Sequence, residues 1–399
     1  MSMPRAVRHI NERRVLDVVF RQGKVSRAGI ARELALTRST AGSIVASLVS
    51  EGLLLEDETK DDKSAGTGRP GTFVHLNPKH GLFVGADIGV GRISVIVIDF
   101  AATIVAERHV MLDDDRRDME RLLDQLASIV GEALCPLGGG APVRGLCVTV
   151  PGVIDKAGVV LRAPFLGWKN APLLQALTDR FPDIPAIAAE NDANAFAIAD
   201  RHRSGDSTGD PEIHLFLDAG IGGAVTTSGQ LLRGDNGYAG EFGHMVLGET
   251  GFAKVATRAG SFESFVGREA ILARYRQHGG TVDGLDDLKA QAGRGARAAI
   301  ATLDDWAFYL GRGLSIITSI FDPSRIVLGG PVASLFDHCA EAVGRHIRSN
   351  LLEDQPIPVI ELSRCGLEAP ALGGALLLHR DLFAVDENLV FRSGSQKPA

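Results

Sequence analysis

The sequence predicts an α/β protein in two parts, a small basic helical head and a large two-lobed body. Three observations carry this. Residues 1–50 hold nine Arg/Lys and three acids, a net of +6, so the other 349 residues carry −13. An apolar strand running into Asp-x-Gly-x-Gly occurs twice, from Phe83 and again from His214, about 130 residues apart. The composition is 45% hydrophobic, 23% charged and only 6% aromatic, with 47 glycines. That profile excludes general disorder and favours tight backbone turns over an aromatic-rich sandwich. At 399 residues the chain has room for two or three domains of roughly 100–200 residues each.

The four cysteines, Cys135, Cys147, Cys339 and Cys365, form no CxC or CxxC pair. Neither a disulfide framework nor a thiolate zinc cluster is expected. The N-terminus has no signal-like apolar core, and no apolar run approaches the ~18 residues of a membrane span. A cytoplasmic protein with no membrane partner is expected.

In the head, Val15, Val18 and Val19 share one helical face over residues 11–22, and Gly23 stops the helix. Ser26 is placed to cap a second, short helix carrying Ile30 and Leu34. Thr37 is placed to cap a third, where Ala41, Ile44, Val45, Leu48 and Val49 form the apolar stripe and Gly52 follows. The short link between the second and third helices is that of a helix-turn-helix. Opposite the stripe lie Ser39, Ser43, Ala46 and Ser50, with Arg38 in the first turn and Thr40 on a flank. Small polar side chains let a helix approach a DNA groove and bond phosphates and base edges. Ser26, Arg27, Thr37, Arg38, Ser39, Thr40 and Ser43 are therefore the candidate DNA-contacting residues. The apolar runs Leu53–Leu55 and Phe73–Leu76 flank a polar tip and predict a hairpin wing. At its tip, Arg69 sits in Gly68-Arg69-Pro70-Gly71, extended enough to enter a minor groove. The acids Asp57, Glu58, Asp61 and Asp62 turn much of the wing away from DNA.

In the body, each Asp-x-Gly-x-Gly unit reads as a strand ending in a glycine hairpin whose backbone N–H groups can meet a phosphate. Two copies point to a duplicated, actin-like architecture of the sugar-kinase kind. Further motifs follow: Val150-Pro151-Gly152-Val153-Ile154-Asp155, Ala163-Pro164-Phe165-Leu166-Gly167-Trp168, Glu190-Asn191-Asp192-Ala193-Asn194-Ala195, Gly237-Tyr238-Ala239-Gly240-Glu241-Phe242-Gly243-His244, Ile326-Val327-Leu328-Gly329-Gly330 and Ala371-Leu372-Gly373-Gly374-Ala375. Together they closely resemble the ROK family of repressors and sugar kinases, in its branch of regulators with an N-terminal winged helix-turn-helix. The resemblance implies a winged head over residues 1–78 and a ROK domain over 79–399. Lobe one would take about 79–195 plus the C-terminal helix, and lobe two about 196–374. It also implies a sugar pocket at Asn191, Asp192, Glu241 and His244, with Glu263 as the further glutamate. Such side chains suit a ring of hydroxyls that each donate and accept. Asp192 would be the base in a kinase. As a helix N-cap Asp192 needs no ligand, but that reading accounts for neither Glu241 nor His244.

The departures from the family pattern count as much. Kinases of this kind usually read Asp-x-Gly-Gly-Thr at the first loop, whereas here it is Asp87-Ile88-Gly89-Val90-Gly91-Arg92. The second loop usually reads Gly-Thr-Gly-x-Gly-Gly, whereas here it is Asp218-Ala219-Gly220-Ile221-Gly222-Gly223. Two hydroxyls are lost, and the Asp218 carboxylate stands where a polyphosphate would be repelled. The family's CxCGxxGCxE zinc run is absent between His244 and Glu263, where Phe252, Phe262 and Phe265 are expected to fill the space. No zinc, Mg²⁺ or ATP is expected, and no catalytic residue, Asp192 being at most a vestigial base.

The expected function is a sugar-responsive transcriptional regulator, most simply a repressor. Its partners would be double-stranded operator DNA and a sugar or sugar derivative, and it would act as a homodimer or homotetramer. The alternatives are an ATP-dependent sugar kinase carrying a DNA-binding head, and a regulator with a vestigial pocket controlled by a protein partner.

Overall fold

The computed structural model describes residues 3–57, 72–112, 118–205, 209–254, 258–281, 284–381 and 383, without the side chains of residues 3–6. The head consists of α1 (Met3–Gln22), β1 (Val25–Ser26), α2 (Arg27–Glu33), α3 (Arg38–Ser50), β2 (Leu54–Asp57) and β3 (Phe73–Leu76). Helix α1 starts eight residues before the apolar pattern does, because nothing before residue 11 breaks a helix and Pro4 is tolerated in the first turn. Ser26 caps α2 by accepting from Gly29 N at 3.0 Å, and Thr37 caps α3 by accepting from Thr40 N at 3.1 Å. Strands β2 and β3 pair antiparallel, and the two-residue β1 adds to β3. β1 is too short to leave a periodic signal. The wing tip with Arg69 lies outside the described residues.

Lobe one comprises β4 (Leu82–Gly89), β5 (Arg92–Asp99), β6 (Ile104–Met111), α4 (Met119–Leu134), β7 (Val143–Val150), a small sheet of β8 (Val153–Ile154), β9 (Val160–Ala163) and β10 (Trp168–Ala171), then α5 (Leu173–Arg180) and β11 (Ile187–Asn191). Helix α6 (Asp192–Ser204) leads on to β12 (Glu212–Leu217), β13 (Ile221–Thr227) and β14 (Gln230–Leu231) of lobe two. There follow α7 (Glu263–Val266), α8 (Arg268–Gln277), α9 (Leu285–Gly293), α10 (Arg297–Phe321), β15 (Arg325–Gly329), α11 (Ala340–Arg348) and β16 (Val359–Leu362), and α12 (Ala369–Asp381) follows β16.

The two large sheets are copies of one plan. Lobe one runs β11-β7-β4-β5-β6 and lobe two β16-β15-β12-β13-β14. In each, the first strand pairs antiparallel with the second and parallel with the fourth. The repeated Asp-x-Gly hairpins, β4–β5 and β12–β13, thus hold equivalent places in the two lobes.

The chain crosses between lobes twice, through α6 and through α12. The limits expected at residues 195 and 374 fall inside these two helices, so neither is a seam in the backbone. The helices pack face to face, and α12 lies on lobe one's β4, β5 and β7. Glycines permit this: a Cβ on Gly373 would lie 1.8 Å from the Ala195 carbonyl oxygen, and one on Gly85 1.8 Å from that of Ala371. One buried core runs without a break from the head (Val15, Ile30, Leu48) to Phe83, Phe100, Phe196 and α12.

Gly373→Ala is therefore expected to force the helices apart. Overpacking of this kind costs ~1–3 kcal/mol, and here the obstacle is rigid backbone. Urea unfolding should show a loss of at least ~2 kcal/mol. Gly344→Ala in α11, where nothing lies within 4 Å of the new Cβ, should show none.

Candidate functional site

Between the lobes lies a cavity of about 200 Å³, lined by both hairpins, the start of α6 and the segment around Glu241–Glu263. This is below the ~300–1,000 Å³ of pockets for drug-sized ligands and suits a small solute. All five residues expected at a sugar site line it: Asn191, Asp192, Glu241, His244 and Glu263.

Each is held by the backbone around it. Asn191 ends β11 and caps α6, its Oδ1 accepting from Asn194 N at 3.0 Å, while its Nδ2 donates to Gly152 O at 3.1 Å. The cap of α6 is therefore Asn191 and not Asp192, which leaves one Asp192 oxygen open to the cavity. The other, Oδ1, accepts from Ala193 N at 2.8 Å and Asn191 Nδ2 at 3.2 Å. Gly222 of β13 lies against this corner, where a Cβ would meet that of Ala193 at 2.7 Å. Burial, reinforced by the nearby Asp87 carboxylate, pushes Asp192 up to about 7. Such a group changes charge near neutrality. His244 Nε2 lies 3.2 Å from Glu241 Oε2, and its Nδ1 lies 3.8 Å from Glu263 Oε1. The hydrogen bond to Glu241 raises the imidazole's pKa, with Glu263 adding to the effect. Glu263 opens α7 and is buried.

The two glycine hairpins meet at the cavity floor, and the chain's own side chains occupy them. Arg92 reaches from β5 across the cleft, its Nη1 2.7 Å from Asp218 Oδ2 and its Nη2 3.7 Å from Asp87 Oδ2. Arg268 also pairs with Asp218, and its backbone N donates to Asp218 O at 2.9 Å. Arg92 and Asp218 are both buried. Gly89 accommodates the guanidinium: a Cβ there would lie 2.9 Å from Arg92 Cζ. Gly220 similarly accommodates Phe165, whose ring would stand 2.6 Å from a Cβ. Asp218 is thus neutralised by two arginines, which corrects the expectation that it would repel a phosphate. Asp87, raised by burial, accepts from Thr149 Oγ1 at 2.9 Å.

In the sequence Arg92 stands only as the end of an altered loop and Tyr238 only within a motif, while Arg268 and the cavity-lining Arg162 carry no signal. Arg268 follows a glycine in a stretch without a motif, so only the tertiary fold brings it to Asp218. The three phenylalanines do fill the segment after His244. Phe265 stacks on Tyr309 with ring centroids 3.8 Å apart, Phe252 packs edge-on to both, and Phe262 is fully buried.

In the head, Arg38, Ser39, Thr40 and Ser43 are exposed along α3, as is Thr37 at its cap. Ser26 is half-buried and spent on its cap, and Arg27 pairs with Glu56 of β2. The open face is that of α3.

Residues 83–381 match the model of the ROK family. The chain belongs to the ROK family. The xylose repressor of Bacillus spizizenii (strain ATCC 23059 / NRRL B-14472 / W23) is 27% identical over 375 residues, 92% of this chain and 94% of that protein. The glucokinase of Streptomyces coelicolor (strain ATCC BAA-471 / A3(2) / M145) is 25% identical over 315 residues, 74% of this chain and 96% of that enzyme. A ROK family transcriptional regulator, a homolog of the E. coli MLC protein, has the same fold, with a TM-score of 0.76 at 22% identity over 95% of this chain and 97% of its own. A ROK family glucokinase from Streptomyces griseus, solved with glucose and AMPPNP, gives a TM-score of 0.64 at 25% identity over 74% of this chain and 99% of its own. Among the described residues of this ROK protein, no helix is long and apolar enough to cross a membrane.

Asp218→Asn should leave two arginines facing a neutral amide. Removing one partner of a buried pair costs ~3–5 kcal/mol. The double variant Arg92→Met/Asp218→Asn should lose less than the sum of the two single variants in denaturant unfolding.

Proposed function

We propose that this ROK protein is a sugar-responsive transcriptional repressor. Its α3 face reads operator DNA and its inter-lobe cavity binds a sugar or sugar derivative. The observation that carries this is coverage: the match to a xylose repressor spans 92% of the chain, head included, whereas the match to a glucokinase spans 74%. The exposed Arg38, Ser39, Thr40 and Ser43 fit a helix that enters a major groove, and two heads of a homodimer fit the two half-sites of a palindrome. Asp192, Glu241, His244 and Glu263 offer acceptors and one switchable donor to a ring of hydroxyls.

A kinase reading is disfavoured by the floor of the cleft. A nucleoside triphosphate needs backbone N–H groups and a metal between the two hairpins. Here Arg92, Asp218 and Arg268 form a closed ion-pair cluster in that space, and Phe165 covers Gly220. Asp192 acts as a hydroxyl acceptor in this reading and no phosphoryl group is transferred. The protein works in the cytoplasm, where operator and sugar meet.

Calorimetry with a panel including D-xylose and D-glucose, with and without Mg-ATP, tests the reading. Binding of one sugar without nucleotide binding or turnover is expected, and formation of a sugar phosphate would replace the repressor with a kinase. A sugar hydroxyl that donates to Asp192 favours the ionised carboxylate. The free protein holds Asp192 near pKa 7, so binding releases a proton below that pH. Sugar affinity should therefore rise between pH 6 and pH 8 and level off above, and Asp192→Asn should both weaken binding and flatten the profile. Arg38→Ala should weaken operator binding at least about tenfold in fluorescence anisotropy, the scale of one lost charge-assisted contact.

A further inference from the structure

The head does not hang from a flexible linker. Its Phe20, in the last turns of α1, rests on the ends of both helices that cross between the lobes. The Phe20 ring stacks on His202 of α6 with centroids 5.8 Å apart and planes 10° from parallel. It stacks on Phe383, just beyond α12, at 5.5 Å and 3°, and meets His379 of α12 at 5.0 Å. His379 Nε2–H donates to Phe100 O of lobe one at 2.9 Å.

The two supports belong to different lobes. Helix α12 is seated on the lobe one sheet, with Gly85 of β4 in contact with Ala371. Helix α6 is tied to lobe two by a buried ion-pair network. Arg201 pairs with Glu212 of β12 at 2.6 Å, and Glu212 pairs with Arg325 of β15 at 2.7 Å. Asp200 lies 3.6 Å from Arg325 and accepts from Ser363 Oγ at 2.5 Å. The other end of α6 begins at Asn191 and Asp192 in the cavity. Its 13 residues span about 20 Å as one rigid element.

We propose that Phe20 is a positioning residue. It sits across the seam between an α6 end that follows lobe two and an α12 end that follows lobe one, and so converts lobe rotation into head orientation. This rests on the repressor reading above and adds the element that carries the signal. A ligand that closes the cleft rotates lobe two against lobe one. His202 then moves relative to Phe383, and α1, with α3 packed on it, turns with them. Close-packed contacts pass such shifts on because they cannot deform continuously.

The test compares wild type, Phe20→Ala and His202→Ala in operator anisotropy titrations with and without saturating D-xylose and D-glucose. His202→Ala leaves the head's own core untouched and guards against a folding defect in Phe20→Ala. Calorimetry checks that each variant still binds the sugar within about threefold of wild type. Typical allosteric coupling changes affinity about 5- to 150-fold. The wild-type ratio of operator affinities should lie in that range and fall to within about twofold of unity in both variants. If wild type responds and both variants keep the full ratio, the Phe20 inference is wrong while the repressor reading stands. If wild type shows no ratio with either sugar, both fall together.

Discussion

The closest constraint in the molecule is backbone against backbone, where α6 crosses α12. Gly373 has no room for a methyl group beside the Ala195 carbonyl, and Gly85 has none beside Ala371. These contacts set the two lobe-crossing helices side by side and place one of them flat on the lobe one sheet. Everything functional is arranged around that crossing. The inter-lobe cavity opens at the front end of α6, and the head is seated at the back ends of both helices. Small residues are needed because side chains would hold the helices apart, and the close contact of Gly373 with Ala195 is the pivot between the cavity end of α6 and its head end.

The cleft shows how a shared architecture holds different side chains. The duplicated hairpins keep their glycines, but those glycines now make room for Arg92 and Phe165 of the same chain. A carboxylate in the second hairpin, read alone, implies repulsion of anions. In the fold it is neutralised from both sides, by Arg92 of lobe one and Arg268 of lobe two. Occupancy of the cleft floor, more than its charge, is what the proposed function sets against a nucleotide site. The pair also joins the lobes at their base and leaves the upper cavity lined by Asp192, Glu241 and His244.

Much of this was legible in the sequence because it is written in local pattern. The apolar stripe of α3, the capping by Ser26 and Thr37, and the repeated Asp-x-Gly hairpins all lie in short, periodic or motif-like stretches. The cavity residues were legible through motif resemblance, since Asn191 and Glu263 are far apart in sequence and only the fold brings them together. What could not be read depends on tertiary placement. Arg268 carries no local signature. Phe20 reads as one more apolar residue of α1, and its partners His202 and Phe383 lie about 180 and 360 residues away. The lobe limits expected at residues 195 and 374 fall inside α6 and α12, because composition does not change where a helix passes from one lobe to the other.

The central claim is that one ligand binds in the cavity and that this binding is linked to operator binding at the head. Linkage is reciprocal: whatever factor the sugar imposes on operator affinity, the operator imposes on sugar affinity. The most direct measurement is a calorimetric titration of the effective sugar into the free protein and into the preformed protein–operator complex. Sugar binding to the complex should be weaker, by the same factor that the sugar weakens operator binding. Identical sugar affinity in the two titrations would contradict the linkage.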